Sequence, residues 1–279
     1  MPVAEAAAKA GMEPDIVMDG GSMKAEKINY IHRRAADADI YFISNHSGKS
    51  LNRRFSFRSG HQNAEWWNPN TGLRHALTPI AAGGKTCYEV ALAPWEAGFV
   101  VLSDSKTEGV PAMNTNPKEE STPVGGTWTV DFDTAMGGKT GVKMTGLKDW
   151  TSFADPAIKH FSGTAVYSNK VKIAPAGKGE RLLLRFSRLC DMAKVEVNGR
   201  DAGIVWCHPY EADITGLVRK GTNTLRISVA NSLMNRMVLD SALPEQERVT
   251  YAWPIVVTPQ DNILPSGIIG DVSVVRVSR

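Results

Sequence analysis

A short run of ring-bearing and polar side chains, Trp206-Cys207-His208-Pro209-Tyr210, is the part of the sequence best suited to binding chemistry. Indole and phenol rings present flat apolar faces, and an imidazole beside them can donate or accept a hydrogen bond. That combination suits a ring-shaped ligand that carries hydroxyl groups. Further aromatic and planar polar side chains follow, and we predict a binding site formed by Trp206, His208, Tyr210, Asn235, Arg236 and Trp253.

A predicted β-hairpin positions this run. Apolar and charged residues alternate over residues 194–197, which is typical of a strand buried on one face. Asn198-Gly199 follows, the dipeptide best able to adopt the positive φ angles of a tight hairpin turn. Residues 203–205 then begin a return strand that ends in the aromatic run, so we interpret this region as the centre of an all-β module.

Composition excludes several classes of protein. The chain has 279 residues and a formal net charge of +3, and its adjacent basic pairs Arg33-Arg34 and Arg53-Arg54 fit solvated strand faces better than a nucleic-acid surface. No apolar run approaches membrane-spanning length. The three cysteines are widely spaced without a CxxC pair, which indicates buried free thiols rather than a metal knuckle or a disulfide framework.

The domain organisation follows from the distribution of turn residues. We expect a flexible lead-in over residues 1–27 and a small antiparallel β-sandwich over 28–103, where short apolar strands are separated by Gly, Pro and Asn. Residues 104–125 are rich in polar residues and Pro, which predicts a linker. Residues 126–279 form the second predicted β-sandwich, and residues 231–270 within it show no regular period.

The order of motifs in the second half resembles a known module. The motifs are Trp128-Thr129-Val130-Asp131-Phe132, Leu147-Lys148-Asp149-Trp150, Asp155-Pro156, Phe161-Ser162-Gly163-Thr164, Val197-Asn198-Gly199, Pro209-Tyr210, Asp213-Ile214-Thr215, Gly221-Thr222-Asn223-Thr224-Leu225, Asn231 and Asn235-Arg236. Together they resemble the C-terminal part of the family 106 α-L-rhamnosidases. That part includes a sugar-binding, galactose-binding-like jelly roll of glycoside hydrolase family 2 type. In the first half, Ile31-His32-Arg33, Asp39-Ile40-Tyr41-Phe42-Ile43-Ser44-Asn45 and Trp67-Asn68-Pro69-Asn70-Thr71-Gly72 resemble the region that follows the catalytic barrel of the same enzymes.

The resemblance implies an all-β fold and an oligosaccharide or glycoside as ligand. Full-length members carry an N-terminal (β/α)₈ barrel, which 279 residues are too few to contain beside the two modules, so the family's barrel carboxylates have no counterparts here. A homo-oligomer or a barrel-bearing partner is therefore an open alternative. The resemblance implies a periplasmic or secreted protein, as expected for the related enzymes. Residues 1–21, however, lack the apolar core of a secretory signal, so the sequence does not assign a location.

Catalytic residues are not singled out by any motif. Glycoside hydrolysis needs two facing carboxyl groups, one of them protonated. Glu211 and Asp213 lie two positions apart on a predicted strand, although Asp213 is more simply a turn-capping residue. Trp128 and Trp150 fit a packed core better than an exposed platform.

Histidines offer the other route to acid–base chemistry, because their pKa lies near neutrality. We keep His32, His46 and His61 as candidates together with Asp149, because the three histidines could approach one another across a sheet edge and hold a metal. For unclustered histidines a hydrogen-bonded structural role is the simpler interpretation. No cofactor is implied, and a structural calcium held by loop oxygens is left open.

Three hypotheses follow for function. The first is a carbohydrate-binding, glycoside-hydrolase-related chain without the catalytic barrel, acting as an accessory or C-terminal part of a rhamnosidase-like enzyme. The second is a compact glycosidase whose site is built from His and Asp or Glu residues at a cleft between the modules. The third is a structural or oligomer-interface module that uses residues 231–270.

Overall fold

A computed structural model describes Ala6 and residues 9–82, 85–105, 108–250 and 257–278 of the chain. The chain divides into two compact units, Met1–Pro117 and Lys118–Arg279. Each unit is an antiparallel β-sandwich of two sheets, which confirms the predicted fold class. In the described residues, we find no helix whose length and apolar character would let it cross a membrane.

The described residues of the first unit form nine strands in two sheets. One sheet has the order β1-β4-β8-β7 and the other the order β2-β3-β9-β5-β6. The strands are β1 (Ile16–Met18), β2 (Ile28–Arg34), β3 (Ala38–Asn45), β4 (Leu51–Phe57), β5 (Asn63–Trp67), β6 (Arg74–Leu77), β7 (Pro79–Ala82), β8 (Lys85–Leu92) and β9 (Ala97–Ser103). Alternating side chains from both sheets, such as Phe55, Val90, Ile43 and Val100, are fully buried in one apolar core.

In the second unit, the part of the chain that the structure describes forms a jelly roll of ten strands. Its sheets have the orders β10-β19-β14-β17 and β12-β11-β13-β18-β15-β16. The strands are β10 (Lys118–Pro123), β11 (Trp128–Phe132), β12 (Val142–Met144), β13 (Thr164–Lys172), β14 (Arg181–Cys190), β15 (Met192–Val197), β16 (Arg200–Val205), β17 (Glu211–Asp213), β18 (Thr222–Ala230) and β19 (Gly267–Ser278). Helices α1 (Pro156–Lys159) and α2 (Met234–Ser241) and three 3₁₀ turns, Thr134–Met136, Trp150–Ser152 and Glu245–Glu247, lie between strands.

The predicted hairpin is present in the second unit. Strands β15 and β16 are joined by Asn198 and Gly199, whose φ angles are 53° and 76°. Both positive values match the tight turn that the Asn-Gly dipeptide favours. Val195 and Val197 are fully buried, as their alternation with charged residues predicted.

Two segments predicted as unstructured contain strands. Within the expected lead-in, Ile16 and Met18 are buried and β1 pairs with β4. Within the expected linker, β10 pairs with β19 over its whole length although all six of its side chains are exposed. The predictions were wrong at these points because a three-residue strand is too short to show a period. A fully solvated edge strand is held by backbone hydrogen bonds, which leave no trace in side-chain hydropathy.

The long excursion over residues 231–270 also holds regular structure. Helix α2 lies in it, and strand β19 already begins at Gly267. Helix α2 spans only eight residues, and four of them are buried: Asn235, Arg236, Val238 and Asp240. Because three of these are polar, the apolar period that normally reveals a helix is missing from the sequence.

Candidate functional site

The aromatic run lies directly after β16, at the edge of the six-stranded sheet. Trp206 is 61 % exposed, which is unusual for a tryptophan. The preceding residue, Val205, is 4 % exposed and packs in the core, so the strand alternation turns Trp206 toward solvent. The structure therefore places Trp206 on the surface at the end of a strand.

His208 and Tyr210 form the second part of the run. Their ring centroids are 3.9 Å apart with an interplanar angle of 37°. Both side chains are half-buried, and burial lowers the pKa of His208 and raises the pKa of Tyr210. His208 is therefore neutral near pH 7 and keeps one ring nitrogen as a hydrogen-bond donor and one as an acceptor. The backbone of Tyr210 accepts a 2.8 Å hydrogen bond from the backbone N–H of Phe186, which anchors the end of the run to β14.

Two apolar side chains that the sequence analysis missed extend this surface. Ile204 is 65 % exposed and Met192 is 48 % exposed. Ala193 pairs with Val205, which brings Met192 to the same end of the hairpin as Trp206. The two-residue period of strand β16 already placed Ile204 on the same side as Trp206, so this signal was available in the sequence. We call Trp206, His208, Tyr210, Ile204 and Met192 the aromatic-loop site.

Asn235 is brought to a different place, in the interior of the second unit. Its side chain is 1 % exposed and donates to the carbonyl of Leu264 at 2.8 Å and to the hydroxyl of Ser266 at 3.1 Å. Its side-chain oxygen accepts from the backbone N–H of Leu264 at 2.7 Å. Both ends of the amide are thus occupied by the protein itself, so a ligand would have to displace an internal hydrogen bond to use it.

Arg236 and Asp149 belong to the same buried network. The backbone N–H of Arg236 donates to Ser162, and its guanidinium Nε donates to Asp240 at 2.8 Å. Asp149 accepts from the backbone N–H groups of Thr151 and Ser266, both at 3.0 Å. Asn231, a polar residue of the resemblance motif, donates to Ser266 and to the carbonyl of Phe161. These hydrogen bonds attach residues 231–270 to the rest of the jelly roll.

The other tryptophans of the second unit are Trp128, Trp150 and Trp253. Trp128 and Trp150 are 2 % and 0 % exposed, as expected for core residues. Trp253, one of the predicted ligand contacts, lies outside the described residues.

Each of the three candidate histidines has its own partner in the first unit. His32 Nε2 lies 2.9 Å from Asp39 and its ring stacks on Tyr41 at 4.1 Å. His46 Nε2 lies 2.9 Å from the hydroxyl of Ser44, and His61 Nδ1 lies 3.1 Å from Asp104. Among the described residues, no three His, Cys, Asp or Glu side chains form a group able to hold a metal ion. His32 and His46 are therefore arranged as structural hydrogen-bonding residues, and His61 faces a single carboxylate.

The two carboxylates of β17 share a strand face. Glu211 accepts from Arg185 Nε at 2.9 Å, and Asp213 accepts from Arg181 at 3.0 Å. Burial raises the pKa of Glu211 despite the charge of Arg185. Burial also acts to raise the pKa of Asp213, but hydrogen bonds from Thr215 and the guanidinium of Arg181 outweigh it and lower that pKa. The pair thus differs in acidity, which is the property that acid–base hydrolysis uses.

Comparison with known proteins gives two family matches on separate parts of the chain. Residues 1–78 match the alpha-L-rhamnosidase model of glycoside hydrolase family 106. Residues 150–264 match the model described as the glycosyl hydrolase 2 galactose-binding domain-like family. The chain is also 27 % identical over 217 residues to a Formosa agariphila protein named "Putative beta-glucuronidase", which covers 63 % of this chain and 19 % of that protein.

A solved structure of a rhamnosidase from Novosphingobium sp. PP1Y superposes on 98 % of this chain with a TM-score of 0.83 and 30 % sequence identity. The chain spans 26 % of that rhamnosidase. Its fold, its first 78 residues and residues 150–264 therefore resemble those of a family 106 α-L-rhamnosidase with a galactose-binding-like jelly roll of family 2 type.

Proposed function

We propose that this chain binds carbohydrate as the accessory or C-terminal part of a rhamnosidase-related glycoside hydrolase, and that it does not itself contain the catalytic barrel. The observation that supports this most directly is the aromatic-loop site. An indole that is 61 % exposed at the end of a rigid strand offers a flat face to the apolar side of a sugar ring. The likeness to glycoside hydrolases supplies the carbohydrate context.

The chemistry of the loop supports a neutral sugar. Trp206 and Ile204 provide apolar surface, and the neutral imidazole of His208 adds an uncharged polar group beside them. Because Tyr210 holds the imidazole by ring contact, less conformational freedom is lost when a ligand binds. Binding through one stacked ring and a few hydrogen bonds is weak, and we expect a Kd in the range of about 0.1 to 1 mM.

The test is titration of the purified chain with L-rhamnose, D-glucuronate and rhamnose-containing oligosaccharides by calorimetry and tryptophan fluorescence. Trp206→Ala should weaken binding by about tenfold or more, whereas Trp206→Phe, which keeps a ring face, should retain most of it. Trp95→Ala is the matched control, because it removes a 48 % exposed indole from the other unit. Unchanged affinity in Trp206→Ala would contradict the proposal.

The difference in acidity between Glu211 and Asp213 favours a second candidate, hydrolysis of glycosides by this chain itself. Against it, each carboxylate is held by an arginine of β14 in a cross-strand ion pair. Incubation with aryl rhamnosides and aryl glucuronides separates the two candidates. We expect no turnover, whereas turnover that is retained through purification and lost in Glu211→Gln would establish the enzyme and overturn the accessory role.

A further inference from the structure

A cleft of about 480 Å³ lies at one end of the first unit, and none of its lining residues belongs to the aromatic-loop site. It is formed where β4 runs into the connection over residues 58–62, and residues of β1, β7 and β8 complete its walls. Its volume falls within the range of about 300–1,000 Å³ that is usual for small-molecule sites.

The cleft combines apolar and unpaired polar side chains. Val17, Phe57 and Pro79 contribute apolar surface. Ser56, Gln62 and Thr86 also line the cleft, and the side chains of these three make no hydrogen bond to any other residue in the part of the chain that the structure describes. Two hydroxyls and an amide that face a cleft with their hydrogen-bonding capacity unused are donors and acceptors available to a ligand.

The wall of the cleft is held rigidly from behind. Tyr41 donates hydrogen bonds to the backbone carbonyls of Arg58 and Asp15, at 3.0 and 3.1 Å. The Ser59 hydroxyl donates to the buried Asp39 at 2.7 Å, and the Tyr88 hydroxyl donates to the carbonyl of Gln62 at 2.9 Å. Since these bonds fix the connection before any ligand arrives, little ordering is required on binding.

The charges around the cleft indicate a neutral ligand. The guanidinium of Arg58 is paired with Asp15, and His61 Nδ1 lies 3.1 Å from Asp104. Arg58 is thus compensated and the carboxylate of Glu13 also lines the cleft, so the lining offers no excess positive charge to a phosphate or a carboxylate. The unpaired hydroxyl and amide groups beside apolar surface match the hydroxyls and the C–H face of a neutral sugar.

We infer that this cleft is a second saccharide-binding site, specific for a neutral pyranose ring and independent of the aromatic-loop site. Gln62 and Thr86 supply hydrogen bonds to its hydroxyls, and Val17 and Phe57 lie against its apolar face. The two sites lie on separate units of the chain, so binding at one can be measured while the other is disabled.

The experiment uses the full chain with Trp206→Ala, labelled with ¹⁵N, and follows backbone amide shifts on titration with L-rhamnose, D-galactose and D-glucose. D-glucuronate and inorganic phosphate serve as anionic probes. We expect saturable shifts in residues 57–62 and 86–88 with at least one neutral sugar. Adding Gln62→Ala and Thr86→Ala should weaken that binding by about tenfold, because two hydrogen bonds are lost.

Asn29→Ala provides the control, because it removes an exposed amide from β2, away from the cleft. The inference is overturned if no neutral sugar shifts the cleft amides, if only the anionic probes do, or if the double substitution leaves the affinity unchanged. Failure of the aromatic-loop site has a different signature, namely an absence of shifts over residues 204–210 in the chain with Trp206 intact.

Discussion

The indole nitrogen of Trp150 donates a 2.6 Å hydrogen bond to the phenolic oxygen of Tyr167 in the interior of the second unit. Both side chains are fully buried, and the rings of Phe132 and Phe161 meet Trp150 edge-on at 5.1 and 5.6 Å. Burial raises the pKa of Tyr167 to about 12, so it remains a neutral phenol at physiological pH. The bond therefore satisfies a polar group that has no access to water.

Substitution of Tyr167 by phenylalanine tests this bond. It removes one oxygen and leaves the indole N–H of Trp150 buried without a partner, which should lower the free energy of unfolding by about 1–3 kcal/mol. Chemical denaturation measures the change. Tyr210→Phe is the control in the same unit, because no other described residue hydrogen-bonds its side-chain hydroxyl; its effect should be small. Equal stability of the two variants would show that the bond contributes nothing.

Gly267 gives a second prediction. Its φ angle is 92°, and a Cβ atom there would lie 2.3 Å from the indole nitrogen of Trp150. Gly267→Ala therefore combines backbone strain with a clash against a ring that cannot move, and we expect a loss of at least about 2 kcal/mol. Gly146→Ala is the matched control, because it meets open space. A thermal unfolding midpoint unchanged in Gly267→Ala would contradict the geometry.

The ion pair of Arg236 and Asp240 gives a third prediction about stability. Their side chains are 10 % and 3 % exposed, and Asp240 also accepts from the backbone N–H groups of Val249 and Thr250. Asp240→Ala leaves a buried guanidinium and two backbone donors without partners, so the free energy of unfolding should fall by about 3–5 kcal/mol.

The matched control for that prediction is the exposed pair of Glu196 and Arg226, in which the arginine is 52 % exposed. Glu196→Ala should cost no more than about 1 kcal/mol, because water already solvates the arginine that it leaves unpaired. Comparable losses in the two variants would indicate that burial does not distinguish these pairs.

His160 predicts how stability depends on pH. Burial lowers its pKa, and the positive charges of Lys159 and Arg236 act in the same direction. The unfolded chain therefore binds a proton at higher pH than the folded chain, and stability falls as the pH drops through the unfolded value of about 6.5. His160→Gln should reduce this slope between about pH 5 and pH 7 in urea titrations. Above about pH 7.5 the imidazole is neutral in both states, so the free energy of unfolding should depend on pH in the same way for the two proteins.

The aromatic-loop site illustrates how much of a site local sequence can predict. Trp206, His208 and Tyr210 follow a hairpin that the sequence predicts, because its turn, Asn198-Gly199, and its alternation are both local properties. Their role as ligand contacts stays a prediction. Asn235 and Arg236 were predicted as ligand contacts, yet their side chains hydrogen-bond inside the protein. No local rule could have shown this for Asn235, since its partner Ser266 lies 31 positions away, whereas the Arg236 side chain pairs with Asp240, four positions along helix α2.

By itself the sequence determined the all-β class, the central hairpin and the exposed aromatic run, because strand periodicity and turn preference act over a few residues. Tertiary structure decided that residues 16–18 and 118–123 are strands, because backbone pairing with β4 and β19 creates them. It also decided which polar side chains are buried and which line a cleft. Burial is a property of what packs against a residue, and the chain supplies those neighbours only when it folds.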